Sequence, residues 1–291
     1  MTAGMRGLCV ACLAAVLLLG GCGRRQGSEW IVWGVDRVNW QTMGTVAAVQ
    51  TRGCRLGASG FFDATKAVFD GVRIHLDAHS PTSEISRLAP LPAKDVLASC
   101  AEMTRPCYAA AFALCEASGG AFNPRWRGEG TLDLGAIAKG FAVDLAADAC
   151  LRQSPPCALL VDLGGNIKSA KGTWRTGVKD PGGDGFAATV ELREGEALAT
   201  SATYYRGGHI RDGRTGRSVD GDVASVTVLA SSAMWADGLS TALFVLGPDE
   251  GRDFLSRHQS DLCGDAVTAV LWILRGGRTV AVDPSRRFVL P

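Results

Sequence analysis

The sequence lacks the surface pattern of a nucleic-acid-binding protein. Its 30 Lys and Arg residues are balanced by 29 Asp and Glu, which gives a formal net charge of +1 at pH 7, and it has no extended basic run. A protein that binds a phosphodiester backbone needs a concentrated basic surface, often with aromatic residues between the basic ones. We therefore expect no nucleic acid among its partners.

Motifs for zinc, for dithiol redox chemistry and for the common nucleotide-binding folds are also missing. The chain has only four histidines, and no C-x-x-C pair follows residue 22, which argues against a zinc site or a thioredoxin-like centre in the body of the protein. Neither G-x-x-x-x-G-K-[ST] nor G-x-G-x-x-G occurs. The sequence thus predicts neither a P-loop nor a Rossmann dinucleotide site.

The first 22 residues resemble an export signal. An early Arg precedes an apolar run over residues 8–19, which is shorter than the roughly 20 residues that a spanning helix needs. Leu19-Gly20-Gly21-Cys22 resembles a bacterial lipobox, which implies cleavage before Cys22 and lipid on that residue. We expect a signal peptide over 1–21, a tether over 22–29 and an exported protein, lipid-anchored to the bacterial membrane and facing the periplasm or cell exterior. An uncleaved anchor and a plain export signal are the alternatives.

Residues 30–291 contain no internal repeat or low-complexity linker, so we expect a single domain. Apolar periodicity predicts a helix from Ser59 to about Asp77, and a second helical region broken at Pro106. Between them, SPTSEISRLAP predicts a turn into a short helix that Ser80 or Ser83 could cap and that Pro90 would end. The stretch 38–51 predicts one strand, and residues 130–132, ahead of the turn DLGAIAKG, predict another. Later segments predict antiparallel strands and a hairpin that turns at Gly276-Gly277. This pattern indicates an α/β (α+β) fold with a mixed or antiparallel sheet and packed helices, rather than a Rossmann fold.

Seven cysteines follow residue 22, an odd number that cannot all pair within one chain. We expect most of them to be small core residues. Cys150 and Cys157 flank the turn LRQSPP and are the pair that proximity in sequence favours for a local disulfide.

Four glycine-rich turns, GGAFNP, DLGAIAKG, DLGGN and HIRDGRTG, could bring backbone N–H groups close to an anion. Lys139 lies near the start of a predicted helix, where a bound phosphate would explain a cation. His209 stands beside several charged residues and is a candidate general acid or base. The alternatives are ordinary turns, an exposed Lys and a surface His.

Asp237 and Thr241 are four residues apart in the apolar segment SSAMWADGLSTALFVLG. Side chains at this spacing lie on one face of a helix, so two oxygen ligands could hold a small hard cation such as Mg²⁺, with phosphates and water completing the octahedron. The alternatives are a Thr hydroxyl bonded to its own helix and an Asp that interacts with a helix N-terminus.

Taken in order, nine segments resemble the ApbE-like flavin transferases, the FAD:protein FMN transferase family. The segments are TMGTVAAV, SPTSEISRL, GGAFNP, LDLGAIAKGFAVD, LLVDLGGNI, TWRTGVKDP, LATSATYYR, HIRDGRTGRSV and SVTVLASSAMWADGLSTALFVLG. The resemblance implies a Mg²⁺-dependent enzyme that transfers FMN from FAD to a Thr, sometimes Ser, hydroxyl of a partner protein and releases AMP. The implied acceptor is a subunit of a respiratory or redox-driven membrane complex.

The resemblance also implies a set of site residues. Mg²⁺ would be held by the Ala138 carbonyl, Asp237 and Thr241, while His209, Lys139 and Asp237 would take part in the chemistry. The residues expected to contact FAD are Met43, Ala121, Phe122, Asn123, Gly135, Lys139, His209 and Ile210.

The chain departs from the family pattern at four positions, with His79 for an aromatic residue, Asn123 for Asp, Ala202 for Gly and Gly213 for Pro. Two alternative functions remain. One is a Mg²⁺-dependent FAD pyrophosphatase that gives FMN and AMP, and the other is a non-catalytic flavin-binding lipoprotein.

Overall fold

The computed structural model describes residues 34–54, 57–153, 157–203 and 210–291. The predicted signal peptide, Cys22, the tether and His209 lie outside these residues. Among the helices in the described ranges, none has both the length and the apolar character needed to cross a membrane.

The described residues form helices and two antiparallel sheets, which confirms the expected combination of helices with an antiparallel sheet. The helices are α1 (Ser59–Leu76), α2 (Glu84–Leu88), α3 (Ala93–Ser99), α4 (Arg105–Ala117), α5 (Ala138–Leu151) and α6 (Ala233–Cys263), followed by a 3-10 turn (Gly264–Ala266). The strands are β1 (Val35–Thr42), β2 (Thr45–Arg52), β3 (Ala158–Leu163), β4 (Asn166–Lys171), β5 (Trp174–Lys179), β6 (Phe186–Leu192), β7 (Ala197–Ala202), β8 (Val223–Ala230), β9 (Val267–Leu274), β10 (Thr279–Val282) and β11 (Phe288–Val289).

The larger sheet has eight strands in the order β1-β2-β3-β4-β7-β8-β9-β10, and the smaller sheet has the order β11-β6-β5. Alternate residues of the large sheet face two separate cores. In β3, for example, Leu159 and Val161 pack with the helices, whereas Leu160 packs with Trp174 and Val190 of the small sheet. The central strands are therefore covered on both faces, which explains why β3 and β8 are almost continuously apolar.

Local signals located several elements correctly. Helix α1 begins at Ser59 as predicted, and the Ser83 hydroxyl caps α2 by accepting from the Ser86 N–H at 3.2 Å. The hairpin at Gly276-Gly277 is also present between β9 and β10.

Three local predictions were wrong. Residues 38–51 form two strands rather than one, because the chain reverses at Met43-Gly44, both with positive φ (47° and 70°). The helical break precedes Arg105, so that Pro106 lies in the first turn of α4, where its missing N–H costs nothing. Residues 130–132 form no strand, since residue 130 lies in a turn and the next two residues have no regular secondary structure.

The predicted Cys150 to Cys157 disulfide is also wrong. All seven cysteines after residue 22 are thiols in the structure. The Cys150 sulfur lies 3.3 Å from the Thr65 hydroxyl of α1, since its position on the buried face of α5 directs it toward α1.

Two carboxylates join helices α5 and α6. One, on α5, accepts hydrogen bonds in the first turn of α6, and the other, on α6, accepts one in the first turn of α5. Asp144 of α5 accepts from the N–H groups of Ala233 and Met234, both at 2.9 Å, and from the Ser232 hydroxyl at 2.8 Å. Lys168 of β4 donates to the same carboxylate at 2.7 Å. The helix macrodipole favours this placement, because the start of a helix presents unsatisfied N–H groups and partial positive charge.

The second carboxylate acts in the opposite direction. Asp237 of α6 accepts from the Gly140 N–H of α5 at 2.9 Å. The residue at the N-cap of α5 is Ile137, which has no side-chain acceptor, so Asp237 replaces the missing cap. A Cβ at position 140 would overlap the Ala233 carbonyl oxygen and the Asp237 Cβ, so glycine is what allows the two helices to approach this closely.

Replacing Asp144 with Ala should destabilise the protein by about 3 kcal/mol, because several charge-assisted hydrogen bonds at the start of α6 lose their acceptor. Chemical denaturation of the purified protein measures this change. Asp148→Ala is the matched control, since Asp148 is an exposed residue of the same helix, and its effect should stay within about 0.5 kcal/mol. Equal losses in the two variants would contradict the capping role.

Candidate functional site

One large cavity, with a volume of about 1040 Å³, opens where the helices meet the ends of the strands. Its walls come from the β1–β2 turn, the start of α5, the β3–β4 turn, the end of β7, the first turns of α6 and the edge of the small sheet. Cavities of this size accommodate ligands larger than most single metabolites.

The cavity collects every described residue of the predicted site. These lining residues are Met43, Ala121, Phe122, Asn123, Gly135, Ala138, Lys139, Ile210, Asp237 and Thr241. They come from segments that are up to almost 200 residues apart in sequence. Their individual roles stay predictions, and His209 lies outside the described residues.

Asp237 is buried, with 5% of its surface exposed. Its Oδ2 accepts from the Gly140 N–H and lies 3.5 Å from the Lys139 ammonium. Within the described part of the chain, Oδ1 accepts no hydrogen bond. One oxygen therefore holds α5, while the other remains available at the cavity wall.

Thr241 is oriented by a chain of hydroxyl groups. The Ser240 hydroxyl donates its proton to the Asp237 carbonyl at 2.8 Å, so it can only accept from Ser201, at 2.8 Å. Ser201 has then used its own proton, and its 3.0 Å bond to Thr241 requires Thr241 to donate. The hydroxyl proton of Thr241 is thereby directed toward Ser201, and no residue in the described ranges donates to its lone pairs.

The oxygen atoms of Asp237 and Thr241 fit a hard divalent cation. A carboxylate oxygen and a hydroxyl oxygen with free lone pairs lie one helical turn apart on α6, and oxygen ligands of this kind are what Mg²⁺ prefers. Among the described residues, no group of three or more His, Cys, Asp or Glu side chains could hold a metal ion. A cation here would therefore need further oxygens from a ligand such as a diphosphate and from water.

Lys139 is the second residue of α5, and its ammonium donates to the Gly135 carbonyl at 2.7 Å. We expected a bound phosphate to explain a cation at this helix start. The structure gives an additional reason, since the buried Asp237 carboxylate lies within 3.5 Å and offsets the charge.

The electrostatic surroundings of two acidic groups are unusual. Burial, and secondarily the nearby Asp237 carboxylate, raises the pKa of the Cys107 thiol, which therefore stays neutral beneath the site. Burial also raises the pKa of Asp162 to about 6, although the Gly165 N–H and Arg37 favour its charged form. Asp162 anchors the β3–β4 turn that forms part of the cavity wall.

Two of the departures from the family pattern lie against each other. The Gly213 N–H donates to the Ala121 carbonyl at 3.1 Å, and the Asn123 amide donates to the Gly213 carbonyl at 3.0 Å. A Cβ at position 213 would overlap the Asn123 Cβ and the Gly120 carbonyl oxygen. His79 and Ala202 also line the cavity, and nothing in the structure explains these two departures.

Trp126 and its neighbours line the cavity but were not singled out from the sequence. The Trp126 indole N–H donates to Asp133 at 3.3 Å, and Asp133 also pairs with Arg127 at 3.1 Å. The guanidinium carbons of Arg127 and Arg211 lie 4.7 and 5.8 Å from the indole centroid. The only sequence signal was the alternation of Arg and Trp in RWR, which by itself suggests nothing more than a charged loop.

Ser201 and Asp144 were missed for a different reason. Ser201 is 40 residues from Thr241, and Asp144 is 89 residues from Ala233. No local sequence pattern indicates contacts at such separations. Only the fold reveals that Asp144 holds the start of α6 and that Ser201 orients Thr241.

Comparison with known proteins matches part of the chain to a known family. Residues 125–263 match the model of the ApbE family. The FAD:protein FMN transferase of Klebsiella pneumoniae (strain 342) is 39% identical over 146 residues, which cover 47% of this chain and 45% of the relative. The FAD:protein FMN transferase of Rhodobacter capsulatus is 40% identical over 131 residues, which cover 41% and 25%. The matched segment thus spans less than half of these relatives.

Solved structures extend the likeness to most of the chain. The flavin transferase ApbE from Vibrio cholerae has a TM-score of 0.68 at 22% identity, covering 87% of this chain and 98% of its own. The ApbE protein from Thermotoga maritima has a TM-score of 0.69 at 22% identity, covering 85% and 96%. At these identities the likeness establishes the fold. Residues 125–263 therefore match the ApbE family, and the chain has the fold of the ApbE flavin transferases.

Proposed function

We propose that this protein transfers FMN from FAD to a threonine or serine hydroxyl of a partner protein, forms a phosphoester bond and releases AMP. The observation on which the proposal rests is the meeting of Asp237, Thr241 and Lys139 with the glycine-rich turns around one cavity. Both relatives described above are named FAD:protein FMN transferase, which supports the same activity.

The shape and lining of the cavity suit a dinucleotide. Its volume of about 1040 Å³ is at the upper end of the usual range for small-molecule sites. Trp126 offers an aromatic ring beside Arg127 and Arg211, a combination suited to a ligand that contains both ring systems and phosphates.

Asp237 and Thr241, with the carbonyl of Ala138 as a third ligand, would hold Mg²⁺. When bound, this ion neutralises charge on the diphosphate oxygens. Asp237 supplies the charged oxygen, and Thr241 presents lone pairs because Ser201 accepts its proton. With Mg²⁺ at the Asp237 carboxylate, the two positive charges would repel each other. The Lys139 ammonium would therefore move from Asp237 toward the phosphates.

The remaining chemistry follows from positioning. The hydroxyl oxygen of the acceptor attacks the phosphorus on the FMN side, the bond to the AMP phosphate breaks, and the hydroxyl proton passes to a base. From the resemblance we assign that base to His209. Backbone N–H groups of the glycine-rich turns and Lys139 would stabilise the negative charge that develops on the phosphate oxygens.

We further propose that the protein acts outside the cytoplasm, held to the membrane by a lipid on Cys22. The support is the apolar run and the lipobox-like sequence in the first 22 residues. On this proposal the acceptor is a subunit of a respiratory or redox-driven membrane complex that is reached from the same side.

Asp237→Asn should lower Mg²⁺-dependent AMP release from FAD by about 100-fold or more, because it removes the charged ligand. The amide oxygen of Asn can still cap the Gly140 N–H, so the melting temperature should change by only about 2–3 °C. AMP is measured by chromatography, and Mn²⁺ binding to the same proteins is followed by EPR. Activity within tenfold of wild type, or unchanged Mn²⁺ affinity, would refute the assignment.

At position 241, two substitutions separate the role of the hydroxyl from the role of side-chain shape. Thr241→Val keeps the shape and should lower AMP release by about tenfold while raising the Mg²⁺ concentration needed for half-maximal rate. Thr241→Ser keeps the oxygen and should retain most of the activity at the original Mg²⁺ requirement. The ligand role would be lost if the Val variant matched the Ser variant in its titration with Mg²⁺.

Transfer and hydrolysis differ in the fate of FMN. The full-length protein, FAD and Mg²⁺ are incubated with a membrane fraction from the source cells, and flavin fluorescence is read in a denaturing gel. We expect a fluorescent polypeptide that is absent with Asp237→Asn, together with AMP equivalent to the flavin bound. Free FMN in amounts matching AMP, with no labelled polypeptide, would instead identify an FAD pyrophosphatase. Bound FAD that gives no AMP would identify a non-catalytic flavin-binding protein.

A further inference from the structure

The ends of β2 and β3 that point away from the cavity bring two cysteines together. The last residue pair of the β2–β3 ladder is Arg52 with Ala158, so the next positions outward are Gly53 and Cys157. Cys54 follows immediately. Adjacent strands lie about 4.8 Å apart and one further residue adds about 3.3 Å along the strand, so we expect the Cα atoms of Cys54 and Cys157 to lie within the range that disulfides span.

A turn at Gly53 places both sulfur atoms on the same face of the sheet. Gly53 has a φ of 71°, a left-handed conformation that interrupts the alternation of side chains along β2. Cys157 belongs to the core between the large sheet and the helices, and the half-buried Cys54 packs against that same core. The two cysteines therefore share one environment rather than lying on opposite faces.

The Cys54 thiol also lies near enough to Cys157 to affect its ionisation. Burial raises the pKa of the Cys157 thiol to about 12, and hydrogen bonding with the Cys54 thiol adds to this rise. Cys157 is 5% exposed, so Cys54 is the member of the pair that solvent and a reactant can reach.

Several other described cysteines have partners of a different kind. Cys150 bonds with the Thr65 hydroxyl, while Cys100 and Cys263 donate to backbone carbonyls of their own helices. These thiols are thus engaged within or between helices, and they provide matched controls.

We propose that Cys54 and Cys157 are oxidised to a disulfide that joins the ends of β2 and β3. The oxidant is a disulfide, either of a small thiol such as glutathione or of an oxidoreductase. The Cys54 thiolate attacks one sulfur of the oxidant and releases one thiol, and the Cys157 sulfur then attacks the mixed disulfide at Cys54 and releases the second. Two protein thiols and one disulfide become one protein disulfide and two thiols, and the cysteine protons end on the released thiols.

This bond would close a loop of roughly 100 residues that contains α1 to α5 and much of the cavity wall, so it should restrict the unfolded chain strongly. Its distance from the site is large. Thr45 lines the cavity at one end of β2, and the cysteines lie beyond the other end, roughly 25 Å away at about 3.3 Å per residue. The disulfide should therefore affect stability and leave the chemistry at the cavity unchanged.

Peptide mapping of the full-length protein tests the pairing directly. The protein is equilibrated with oxidised or reduced glutathione, alkylated with iodoacetamide, digested with trypsin and analysed by mass spectrometry without reduction. Cleavage after Arg52 and Arg152 isolates residues 53–55 and 153–168, which contain Cys54 and Cys157. We expect these two peptides to be joined after oxidation and separate after reduction. Alkylated Cys54 in the oxidised sample, or Cys157 joined to Cys150 or glutathione instead, would overturn the proposal.

A stability measurement distinguishes a stabilising disulfide between Cys54 and Cys157 from incidental oxidation. The oxidised wild type should melt about 5–15 °C above the reduced protein. Cys54→Ser should abolish that difference, whereas the control Cys263→Ser should preserve it. The proposal fails if the difference persists in Cys54→Ser, or if Cys263→Ser removes it. None of these measurements uses FAD, so their outcome is independent of the proposed transferase activity.

Discussion

Helices α5 and α6 are held together because a carboxylate of each helix accepts from N–H groups in the first turn of the other. Asp144 of α5 satisfies the first N–H groups of α6, and Asp237 of α6 satisfies the Gly140 N–H in the first turn of α5. Both carboxylates are largely withdrawn from water, a position that is costly for a charge unless it has donors and opposite charge nearby. The helix starts provide both, so the pair fixes the relative position of α5 and α6. The positions of Lys139, Asp237 and Thr241 in the candidate site depend on this contact.

The same contact explains how one acidic side chain can have two functions. Oδ2 of Asp237 accepts from Gly140, whereas Oδ1 has no donor in the described part of the chain and is available for the proposed cation. The hydroxyl chain from Ser240 through Ser201 then fixes the direction of the Thr241 proton one turn further along α6. Since both side chains are held by bonds within the protein, little reorganisation would be needed for the proposed cation and diphosphate to bind.

Local features of the site could be predicted from the sequence, and long-range features could not. The spacing of Asp237 and Thr241 is a helical property, and the Ser83 cap depends on neighbouring residues, so both were accessible to sequence reasoning. The hairpin at Met43-Gly44 was missed because Met is an uncommon residue at positive φ. The expected Cys150 to Cys157 disulfide failed because closeness in sequence does not determine the direction of a side chain on a helix. Asp144 and Ser201 act across 89 and 40 residues, where no local pattern exists.

The departures at positions 123 and 213 form one local arrangement. Proline at 213 would have no N–H for the Ala121 carbonyl, and aspartate at 123 would have no donor for the Gly213 carbonyl, so each bond requires the residue that this chain has. The absence of a Cβ at 213 is equally necessary, since the Asn123 Cβ and the Gly120 carbonyl oxygen occupy its place. Together the two residues join the turn at position 213 to residues 121–123, which line the cavity where the proposed flavin site requires them.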